Sequence, residues 1–428
     1  MNFTSNIDKK TYDSFVKKHR TKSHFLQSYE WGSFSEEEKN LKPYYVGLTN
    51  DKDKLVATAL LLQKKLPFGY SYFYSPRGYV LDFSDKNLVK IFTEEILKFA
   101  KKHKAIFIKI DPDIILQNLN DDGSPTKETN NYDLIDYLKK IGYLHKGFNK
   151  NFEGSQPRYT FRLDLTQDDD SLINNFHLTT KKILKKGNIN DLIILKNENA
   201  KIEDFYLTML ETEKRENILN HDIKYYRNYY EYLHSNNMSD LYVIKANIEK
   251  LKSDYQEKIK NLEKEFDELN NTDKYKNEEK RINLQKEVSN KLNKINKEFE
   301  DIKNIKDKEL VLAGIITTKY NDKVWTIHGG TNSLLPSLNA NYLIYYEIIK
   351  DAKKEGFKTI DFFGTTGDPK ENNPIYGIHS FKKRLGGTYT EFIGEFDLVT
   401  NKFIYFIFTK LIPAYRNIKR KLLKIKKS

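Results

Sequence analysis

The chain has 428 residues, of which 38% are hydrophobic and 13% aromatic, so it is long and apolar enough for two or three folded domains and is not a disordered chain. It has no cysteine, which excludes disulfides, a thiolate nucleophile and a cysteine-based zinc site, and its nine histidines form no ligand-spaced pair, so we expect no metal. The net charge is +13. Residues 1–10 lack the apolar core of a signal peptide, and no apolar run reaches the ~20 residues of a membrane span, so we expect a cytoplasmic protein.

The first predicted elements form a mixed α/β unit. Residues 44–48 and 55–62 are rich in strand-forming side chains and are separated by the turn-forming residues 50–53, which predicts a β-hairpin. Residues 88–102 have helical spacing of apolar side chains, and residues 106–110 form a short apolar run typical of a buried strand.

The same order of elements recurs about 250 residues later. We predict strands at 241–246 and 310–317, a helix at 341–354 and a strand at 359–363. Three pairs of segments match in sequence: 54–61 with 309–316, 72–78 with 325–330, and 100–111 with 352–361. Three weak matches in one order predict an internal repeat. By analogy, the fold class is α/β, with two tandem acyl-CoA N-acetyltransferase-like domains.

An insertion separates the two hairpin strands of the second copy. Apolar residues recur there at intervals of three and four on both sides of a polar stretch at 270–274, which predicts an antiparallel coiled-coil arm of two helices. Between Asn247 and Lys308 there are 16 basic and 15 acidic residues, and this balance weakens a phosphate-binding interpretation. The arm is therefore either a solvated spacer, a partner-docking hairpin or a tRNA contact.

The end of the chain is strongly basic. Nine Lys and Arg residues and no acidic residue follow Asp397, and the aromatic run 403–408 lies among them. An apolar aromatic stretch with a polybasic tail favours an anionic membrane surface, whereas the alternative is a packed terminal element with a solvated tail.

These features predict four regions. A first acetyltransferase-like domain covers residues 1–165, and a second covers 166–246 and 309–398. The coiled-coil arm covers 247–308, and an apolar and basic tail covers 399–428.

Several segments in order along the chain resemble the Fem family of peptidoglycan-bridge aminoacyltransferases, the FemA/FemB/FemX/MurM group. They are His24-Phe25-Leu26-Gln27-Ser28, Tyr72-Phe73-Tyr74-Ser75-Pro76-Arg77-Gly78, Ile110-Asp111-Pro112, Lys181-Lys182-Ile183-Leu184-Lys185-Lys186, Gly329-Gly330-Thr331-Asn332 and Gly377-Ile378-His379-Ser380-Phe381-Lys382-Lys383. The resemblance implies an enzyme that transfers an amino acid from aminoacyl-tRNA to a side-chain amine of the stem peptide, or to a residue already attached there.

The same resemblance implies the partners. The acceptor would be lipid II or the UDP-linked peptidoglycan precursor, met at the inner face of the cytoplasmic membrane by a peripherally bound protein, with homologous Fem-type proteins as possible partners. It implies aminoacyl-tRNA as the donor substrate and neither a metal nor acyl-CoA as a cofactor.

Aminolysis of an ester needs a neutral amine, a proton acceptor and stabilisation of an oxyanion. The resemblance places Phe381 and Lys382 at the catalytic centre, where a cation can stabilise an oxyanion or a phosphate; the alternative is a surface lysine in a basic run. Lys383 is a weaker substrate-binding candidate in the same run.

A second group of candidates surrounds the end of the predicted strand 106–110. Asp111 can accept a proton or anchor substrate, and its alternative role is an Asp-Pro turn residue that binds backbone amides. Arg77 can bind a phosphate or carboxylate, or hold a turn, and Tyr74 can stack on substrate or fill the core. Asp113 and Asp361 are weaker alternatives to Asp111.

The remaining candidates are expected to bind phosphate groups. His221 and Tyr225 match an arginine and a tyrosine that hold the precursor diphosphate in the resembled family, and the change to histidine weakens this match; Arg227 or Lys224 would then substitute. Lys181 and Lys182 lie with Lys185 and Lys186 on one predicted helix, as a patch for tRNA or lipid diphosphate or as a solvated face.

Three rival functions are weighed against this prediction. An acyl-CoA-dependent N-acyltransferase needs a Gly-rich pyrophosphate turn that the sequence lacks. An aminoacyl-phospholipid synthase normally has membrane spans, and a non-catalytic tRNA- or lipid II-binding scaffold would bind the substrates without turnover.

Overall fold

The computed structural model describes residues 1–19, 22–128, 130–186, 192–216, 219–270 and 277–412. The strands in chain order are β1 (Asn2–Thr4), β2 (Lys42–Thr49), β3 (Leu55–Lys65), β4 (Ser71–Ser75), β5 (Ala105–Ile110), β6 (Ile115–Asn118), β7 (Tyr143–His145), β8 (Tyr159–Asp164), β9 (Leu192–Lys196), β10 (Ser239–Asn247), β11 (Glu309–Tyr320), β12 (Lys323–Thr331), β13 (Thr359–Asp361), β14 (Thr388–Phe392) and β15 (Phe396–Val399). The helices are α1 (Lys9–Lys18), α2 (Tyr29–Lys39), α3 (Lys86–Lys102), α4 (Tyr132–Lys140), α5 (Asp169–Asn174), α6 (Leu178–Lys186), α7 (Ile202–Glu216), α8 (Ile223–Ser235), α9 (Ile248–Leu269), α10 (Glu278–Lys303), α11 (Ala340–Lys354), α12 (Tyr376–Lys383) and α13 (Lys402–Phe406).

The strands form two sheets with matching internal relations. The first has the order β1-β2-β3-β4-β5-β15-β7, and the second has the order β6-β14-β8-β13-β12-β11-β10-β9. In the first sheet β2, β3 and β4 are antiparallel neighbours, β4 is parallel to β5, and β5 is antiparallel to β15. In the second, β10, β11, β12, β13 and β8 repeat these relations in the same order. The repeated sequence segments therefore occupy equivalent places in two sheets.

The sheets exchange strands across the predicted boundary at residue 165. Strands β6 and β8, which precede this residue, lie in the second sheet, and β15, near the end of the chain, lies in the first. A division of the chain at residue 165 therefore does not separate the sheets. The physical reason is that the edges of β5 and β13 need backbone hydrogen-bond partners, and segments remote in sequence supply them.

The predicted elements of the repeat are present, with one shorter than expected. Helices α3 and α11 and strands β2, β3, β10 and β11 cover the predicted segments. The strand predicted at 359–363 ends at Asp361, because Phe363 has a φ of +58°, in the left-handed region that breaks an extended strand.

Each sheet buries both of its faces. In β3 the side chain of Leu61 enters a core shared with α3 and α4, whereas Leu60 enters a core shared with α1, α2, α7 and α8. In β11, Ile315 packs into the core below α11, and Ile316 joins the same core as Leu60. Successive side chains of a strand point to opposite faces, so one central core joins a face of each sheet.

Helices α9 and α10 form the insertion and run antiparallel. Lys252 near the start of α9 donates to the Ile305 carbonyl just after α10, 2.8 Å away, whereas Leu269 at the end of α9 accepts from Gln285 near the start of α10, at 3.4 Å. Residues 271–276, which join the two helices in sequence and include most of the predicted polar break, lie outside the described residues. A supercoil of the predicted heptad type stays a prediction.

The described chain ends in a helical segment on the first sheet. Helix α13 continues into a wider helical turn, Ile407–Leu411. The ring of Phe408 lies 6.0 Å from Phe107 and 5.9 Å from Tyr72, so part of the predicted tail packs on the sheet. The basic residues from 413 onwards lie outside the described residues. None of the described helices combines the length and the hydropathy needed to cross a bilayer.

Candidate functional site

The parallel strand pairs place two carboxylates at equivalent strand ends. Asp111 directly follows β5, and Asp361 ends β13. Strand β4 lies parallel to β5, and β12 lies parallel to β13. Because β4 and β5 end together, Asp111 faces the loop that follows β4, whereas Asp361 lies beside Trp325, near the start of β12.

Asp111 is buried and binds the loop after β4. It accepts hydrogen bonds from the Tyr74 hydroxyl at 2.6 Å and from the Arg77 backbone N–H at 2.7 Å. Burial raises the pKa of Asp111 to about 6, and the nearby Arg77 charge opposes this rise. Arg77 has a φ of +54°, a conformation that is uncommon without glycine and that the Asp111 bond stabilises. Asp111 thus accepts a hydrogen bond from a backbone amide, as in the alternative role that the sequence analysis described for it.

Arg77 is directed into the protein. Its guanidinium donates to the Pro157 carbonyl at 2.8 Å and lies 4.4 Å from the centre of the Phe392 ring. The guanidinium of Arg162 lies 4.7 Å from the same ring. Arg77 is only 5% exposed, so its side chain is held among protein groups.

Arg162, which the sequence did not single out, joins two further carboxylates. It donates to Asp113 at 2.6 Å and to Asp361 at 2.8 Å. Burial alone would raise the pKa of Asp113, but the charges of Arg162 and Lys323 outweigh it and hold this pKa well below its usual range. Asp361 also accepts from the Thr160 hydroxyl and from the Phe363 backbone N–H. Arg162 lies in a strand without a motif, so only pairing of β8 with β13 reveals its partners.

Lys382 projects from α12 into a cavity of about 300 Å³. Its ammonium donates to the carbonyl oxygens of Phe363 at 2.9 Å and Gly364 at 2.7 Å. The left-handed Phe363 marks the point where the chain leaves β13 and presents these carbonyls. Burial lowers the pKa of Lys382 to about 7, and the Asp361 charge partly opposes the fall. An amine with this pKa exchanges its proton readily at neutral pH.

Phe381 lines the same cavity and is held by aromatic neighbours. Its ring makes edge-on contacts with Tyr342 and Tyr345 of α11, with ring centres 5.0 Å apart in both cases. Gly330 lines the wall formed by β12, and a Cβ there would lie 2.5 Å from the Thr208 backbone. Helix α7 therefore approaches β12 closely, which requires glycine at this position.

The Asp111 group and Lys382 are linked by one packing contact. Gly364, which accepts from Lys382, packs against Pro157, since a Cβ on Gly364 would lie 2.8 Å from the Pro157 ring. Pro157 in turn accepts from Arg77. Contacts through Pro157 therefore connect Asp111, Tyr74 and Arg77 with Lys382, and of these four residues Lys382 lines the cavity.

Lys383 faces a different cavity from its neighbour. Its ammonium lies 2.9 Å from Asp121, and it lines a pocket with His177 and His379. Helix α6 begins beside the end of α12, because the Thr180 hydroxyl donates to the Arg384 carbonyl at 2.8 Å. Two lysines near this start are accessible, with Lys181 half-exposed and Lys182 exposed. The side chain of Lys186 lies outside the described part of the chain.

His221 and Tyr225 lie together at a second place. Their rings stack with centres 3.8 Å apart. The Lys39 ammonium lies 5.7 Å from the Tyr225 ring and 4.4 Å from the Trp31 ring, and burial lowers its pKa to about 8. Burial, together with the Lys39 charge, also lowers the pKa of His221.

The cation beside this histidine is Lys39 and neither of the two candidates from the sequence. Arg227 pairs with Glu203 at 2.6 Å, and Lys224 is exposed on α8. Within the described ranges, Lys39 makes no ion pair with a carboxylate. It lies at the end of α2, about 180 residues from His221, so no local sequence pattern indicates the contact.

No three His, Asp or Glu side chains in the described parts of the chain are grouped so that they could hold a metal ion. The expectation of a metal-free site stays a prediction.

Comparison with known proteins identifies relatives along almost the whole chain. The model of the FemAB family matches residues 7–412. The lipid II:glycine glycyltransferase of Staphylococcus haemolyticus (strain JCSC1435) is 29% identical, with 97% of each chain covered. The protein of the same name from Staphylococcus aureus (strain USA300) is 27% identical, again with 97% of each chain covered.

A solved structure matches at a similar extent. The crystal structure of FemX superposes with a TM-score of 0.72 and 25% sequence identity, covering 95% of this chain and 99% of that one. Since the family match spans both sheets, the helical insertion and the cavity around Lys382, this chain belongs to the FemAB family.

Proposed function

We propose that this protein is a lipid II aminoacyltransferase of peptidoglycan synthesis. In this proposal it moves an amino acid from aminoacyl-tRNA to the stem-peptide side-chain amine of lipid II or to the growing cross-bridge. Relatives that cover 97% of the chain are named lipid II:glycine glycyltransferases, which supports the acceptor and the transferred class of group. The single structural observation that carries the proposal is the partly buried Lys382 ammonium, fixed by two carbonyls beside a cavity.

The two sheets and the helical insertion fit the fold that the same resemblance implies. The two sheets with matching strand relations represent tandem acyl-CoA N-acetyltransferase-like units that have exchanged strands. Helices α9 and α10 represent the coiled-coil arm of the family. The cavity beside Lys382, lined by α7, β11, β12, α11 and α12, is where donor and acceptor would meet.

Lys382 has a chemistry suited to aminolysis. Two of its three N–H donors bind Phe363 and Gly364, which fixes the ammonium and leaves the third donor for a ligand in the cavity. A fixed cation stabilises the oxyanion of a tetrahedral intermediate without reorganisation during the reaction. A pKa of about 7 also allows the neutral amine to accept a proton at physiological pH.

Asp111 is the candidate carboxylate in this proposal. Its pKa of about 6 leaves it largely ionised at neutral pH and more basic than an exposed aspartate. Tyr74 and the Arg77 loop bind it directly, so it also positions both of these substrate-binding candidates. Phe381 forms the apolar wall beside Lys382.

We assign the acceptor diphosphate to the group formed by Lys39, His221 and Tyr225. Lys39 supplies the positive charge that histidine lacks when its pKa is lowered. Stacked rings around it exclude water and strengthen its attraction for a phosphate.

The donor would lie near α12 and α6. Lys181, Lys182 and Lys383 present positive charge beside the helix that carries Lys382, and clustered lysines bind phosphate backbones. In this proposal the protein works without a metal or acyl-CoA, in the cytoplasm, bound peripherally to the membrane that holds lipid II, with Fem-type proteins as possible partners.

The test is transfer by Lys382→Met with purified lipid II and a mixture of charged tRNAs, read by product mass. We expect a loss of roughly 100-fold or more, because one oxyanion donor contributes this order of rate. Lys354→Met is the control, since this exposed lysine at the end of α11 lies outside the cavity and outside the proposed binding groups, and it should retain most activity. Wild-type turnover by Lys382→Met would remove Lys382 from the site, and binding of both substrates without any product would favour the scaffold.

A further inference from the structure

Three segments meet at one end of the first sheet. Strand β3 ends there and β4 begins, with the turn Pro67–Gly69 between them. Strand β5, parallel to β4, begins at the same end, and the Ser71 backbone N–H donates to the Lys104 carbonyl at 3.1 Å. Strand β15, antiparallel to β5, ends there, and Thr400 donates to the Ile106 carbonyl at 3.1 Å just before α13. We call this region the docking end: residues 65–70, 101–104 and 400–412.

The docking end exposes large apolar side chains. Phe68 is 96% exposed at the tip of its turn and has a φ of +61°, although Gly69 follows it directly. Phe403 is 72% exposed and Phe406 is 53% exposed on α13. An aromatic side chain in the left-handed region that packs on nothing contributes little to folding, which points to a use outside the protein.

Helix α13 is fixed with this face outward. Tyr405 donates to Asp397 at 2.7 Å, and its ring makes an edge-on contact with Phe107 at 5.4 Å. Phe408 packs beside the same ring. One side of the segment is thus attached to the sheet, which leaves Phe403 and Phe406 directed away from it.

The charge of the docking end has one sign. Residues 61–81, 96–110 and 398–412 contain no aspartate or glutamate. The exposed lysines of these segments are Lys65, Lys101, Lys102, Lys104, Lys402 and Lys410, besides Lys98, which pairs with Glu95 at 2.6 Å. The described chain ends here at Ile412, and the sequence continues with seven Lys and Arg residues and no acidic residue.

We propose that the docking end binds the surface of an anionic lipid bilayer, with Phe68 and Phe403 inserted at the headgroup level and the lysines around them. Exposed aromatic rings bordered by basic residues fit this partner, because rings partition into the interface and lysines attract acidic headgroups. The inference deepens the proposed function and rests on it for the reason the protein meets a membrane.

If the docking end faces the bilayer, the proposed acceptor site lies on the membrane side of the protein. Lys39 lies three residues before β2, whose first residue, Lys42, pairs with Gln63 near the end of β3. The Lys39 group therefore lies toward the docking end, whereas Asp111 lies at the far end of β5. Six residues of strand span about 20 Å. A lipid diphosphate near the bilayer and a stem peptide extended along the sheet would reach the Asp111 region.

The experiment is flotation of the full chain with vesicles of phosphatidylcholine, with or without phosphatidylglycerol and without lipid II. We expect binding only to the acidic vesicles. Phe68→Ser combined with Phe403→Ser, and separately Lys101→Glu combined with Lys104→Glu, should each weaken binding roughly tenfold or more.

Two controls match these changes elsewhere on the surface. Lys52→Glu combined with Lys54→Glu makes the same charge change in the turn between β2 and β3, at the opposite end of the sheet, and Leu207→Ser removes a 53% exposed side chain from α7. Both should bind as the wild type does. Unchanged binding by the docking-end variants, or equal loss in the controls, overturns the proposal.

Transfer to detergent-solubilised lipid II separates this inference from the proposed function. The docking-end variants should retain wild-type transfer there, since the bilayer is absent. If the wild type fails to transfer but the vesicle results hold, the proposed function is overturned while the docking surface stands.

Discussion

Asp111 is buried and Lys382 is partly buried, and their pKa values are displaced toward each other. Burial disfavours the charged form of both, so it raises the pKa of Asp111 to about 6 and lowers that of Lys382 to about 7. Each therefore changes charge within about one pH unit of neutrality.

The Asp111 shift predicts a pH-dependent stability. Between pH 3.8 and about 6 the folded protein retains a proton on Asp111 that the unfolded chain has lost, so raising the pH lowers the free energy of unfolding, by roughly 3 kcal/mol in all. Asp111→Asn cannot ionise and lacks this loss. Urea unfolding should therefore show the variant gaining stability relative to wild type between pH 4 and 7.

Asp113→Asn is the control, and it should change stability in the opposite direction. Its carboxylate pairs with Arg162, and its pKa is held low, so its removal should destabilise the protein throughout this pH range, by about 3–5 kcal/mol. A constant difference between Asp111→Asn and wild type across the range would contradict the raised pKa.

Candidate site residues could be predicted from the sequence where they lie in a recognisable motif. Asp111, Tyr74, Arg77, Phe381 and Lys382 follow from short segments in a recognisable order. The structure groups the first three around one carboxylate and the last two at one cavity. Lys39 and Arg162 were not predicted, because an isolated lysine or arginine becomes informative only when a remote partner is known. Their partners lie on elements that local sequence patterns do not connect.

At the scale of elements, the helical insertion is attached to the second sheet by a buried carboxylate. Glu298 of α10, only 5% exposed, accepts from the Tyr255 hydroxyl of α9 at 3.1 Å and from the Ser337 hydroxyl. Ser337 lies in the segment that precedes α11. The three side chains therefore fix the base of both helices against the helix that covers the second sheet.

This arrangement predicts that two substitutions of Glu298 differ in their effect on stability. Glu298→Ala leaves two buried hydroxyls without an acceptor and should lower the free energy of unfolding by about 1–3 kcal/mol. Glu298→Gln keeps an acceptor oxygen without a buried charge and should remain near wild type. Amide hydrogen exchange of α9 and α10 locates the effect, and exchange in Glu298→Ala equal to wild type would show that the base does not depend on this residue.

Elements with strong periodicity were predictable. The hairpin of β2 and β3, the helices α3 and α11, and the two helices of the insertion lie where the sequence placed them, because their apolar spacing matches one period only. The prediction of a strand at 359–363 was wrong for the two residues after Asp361. The apolar pair that follows reads as a continued strand, whereas the left-handed Phe363 turns the chain toward Lys382.

At the scale of the molecule, strand exchange and the central core couple the two sheets. Strand β15 from the end of the chain separates β5 from β7, and β8 separates β13 from β14. The central core contains Trp31 from α2 and Trp325 from β12, each in ring contact with Phe25. Neither sheet can complete its hydrogen bonding without the other part of the chain.

This coupling could not be predicted from the sequence. The repeat indicates which strands are equivalent, but the short strands β6, β8 and β15 have no equivalents in the repeated segments. Any β-rich segment can satisfy an open strand edge, so the choice of partner depends on the three-dimensional packing of both sheets.

Coupling predicts that damage to the last strand unfolds the whole protein. Phe396 of β15 is fully buried in the first sheet's core, so Phe396→Ala should lower the free energy of unfolding by about 3–5 kcal/mol, and Phe396→Leu by much less. The two tryptophans report on the central core, whereas far-UV circular dichroism reports on all elements. If the sheets unfold together, both signals shift to the same lower urea concentration in Phe396→Ala. A tryptophan transition that stays in place while part of the dichroism signal is lost would show that the sheets unfold separately despite the exchanged strands.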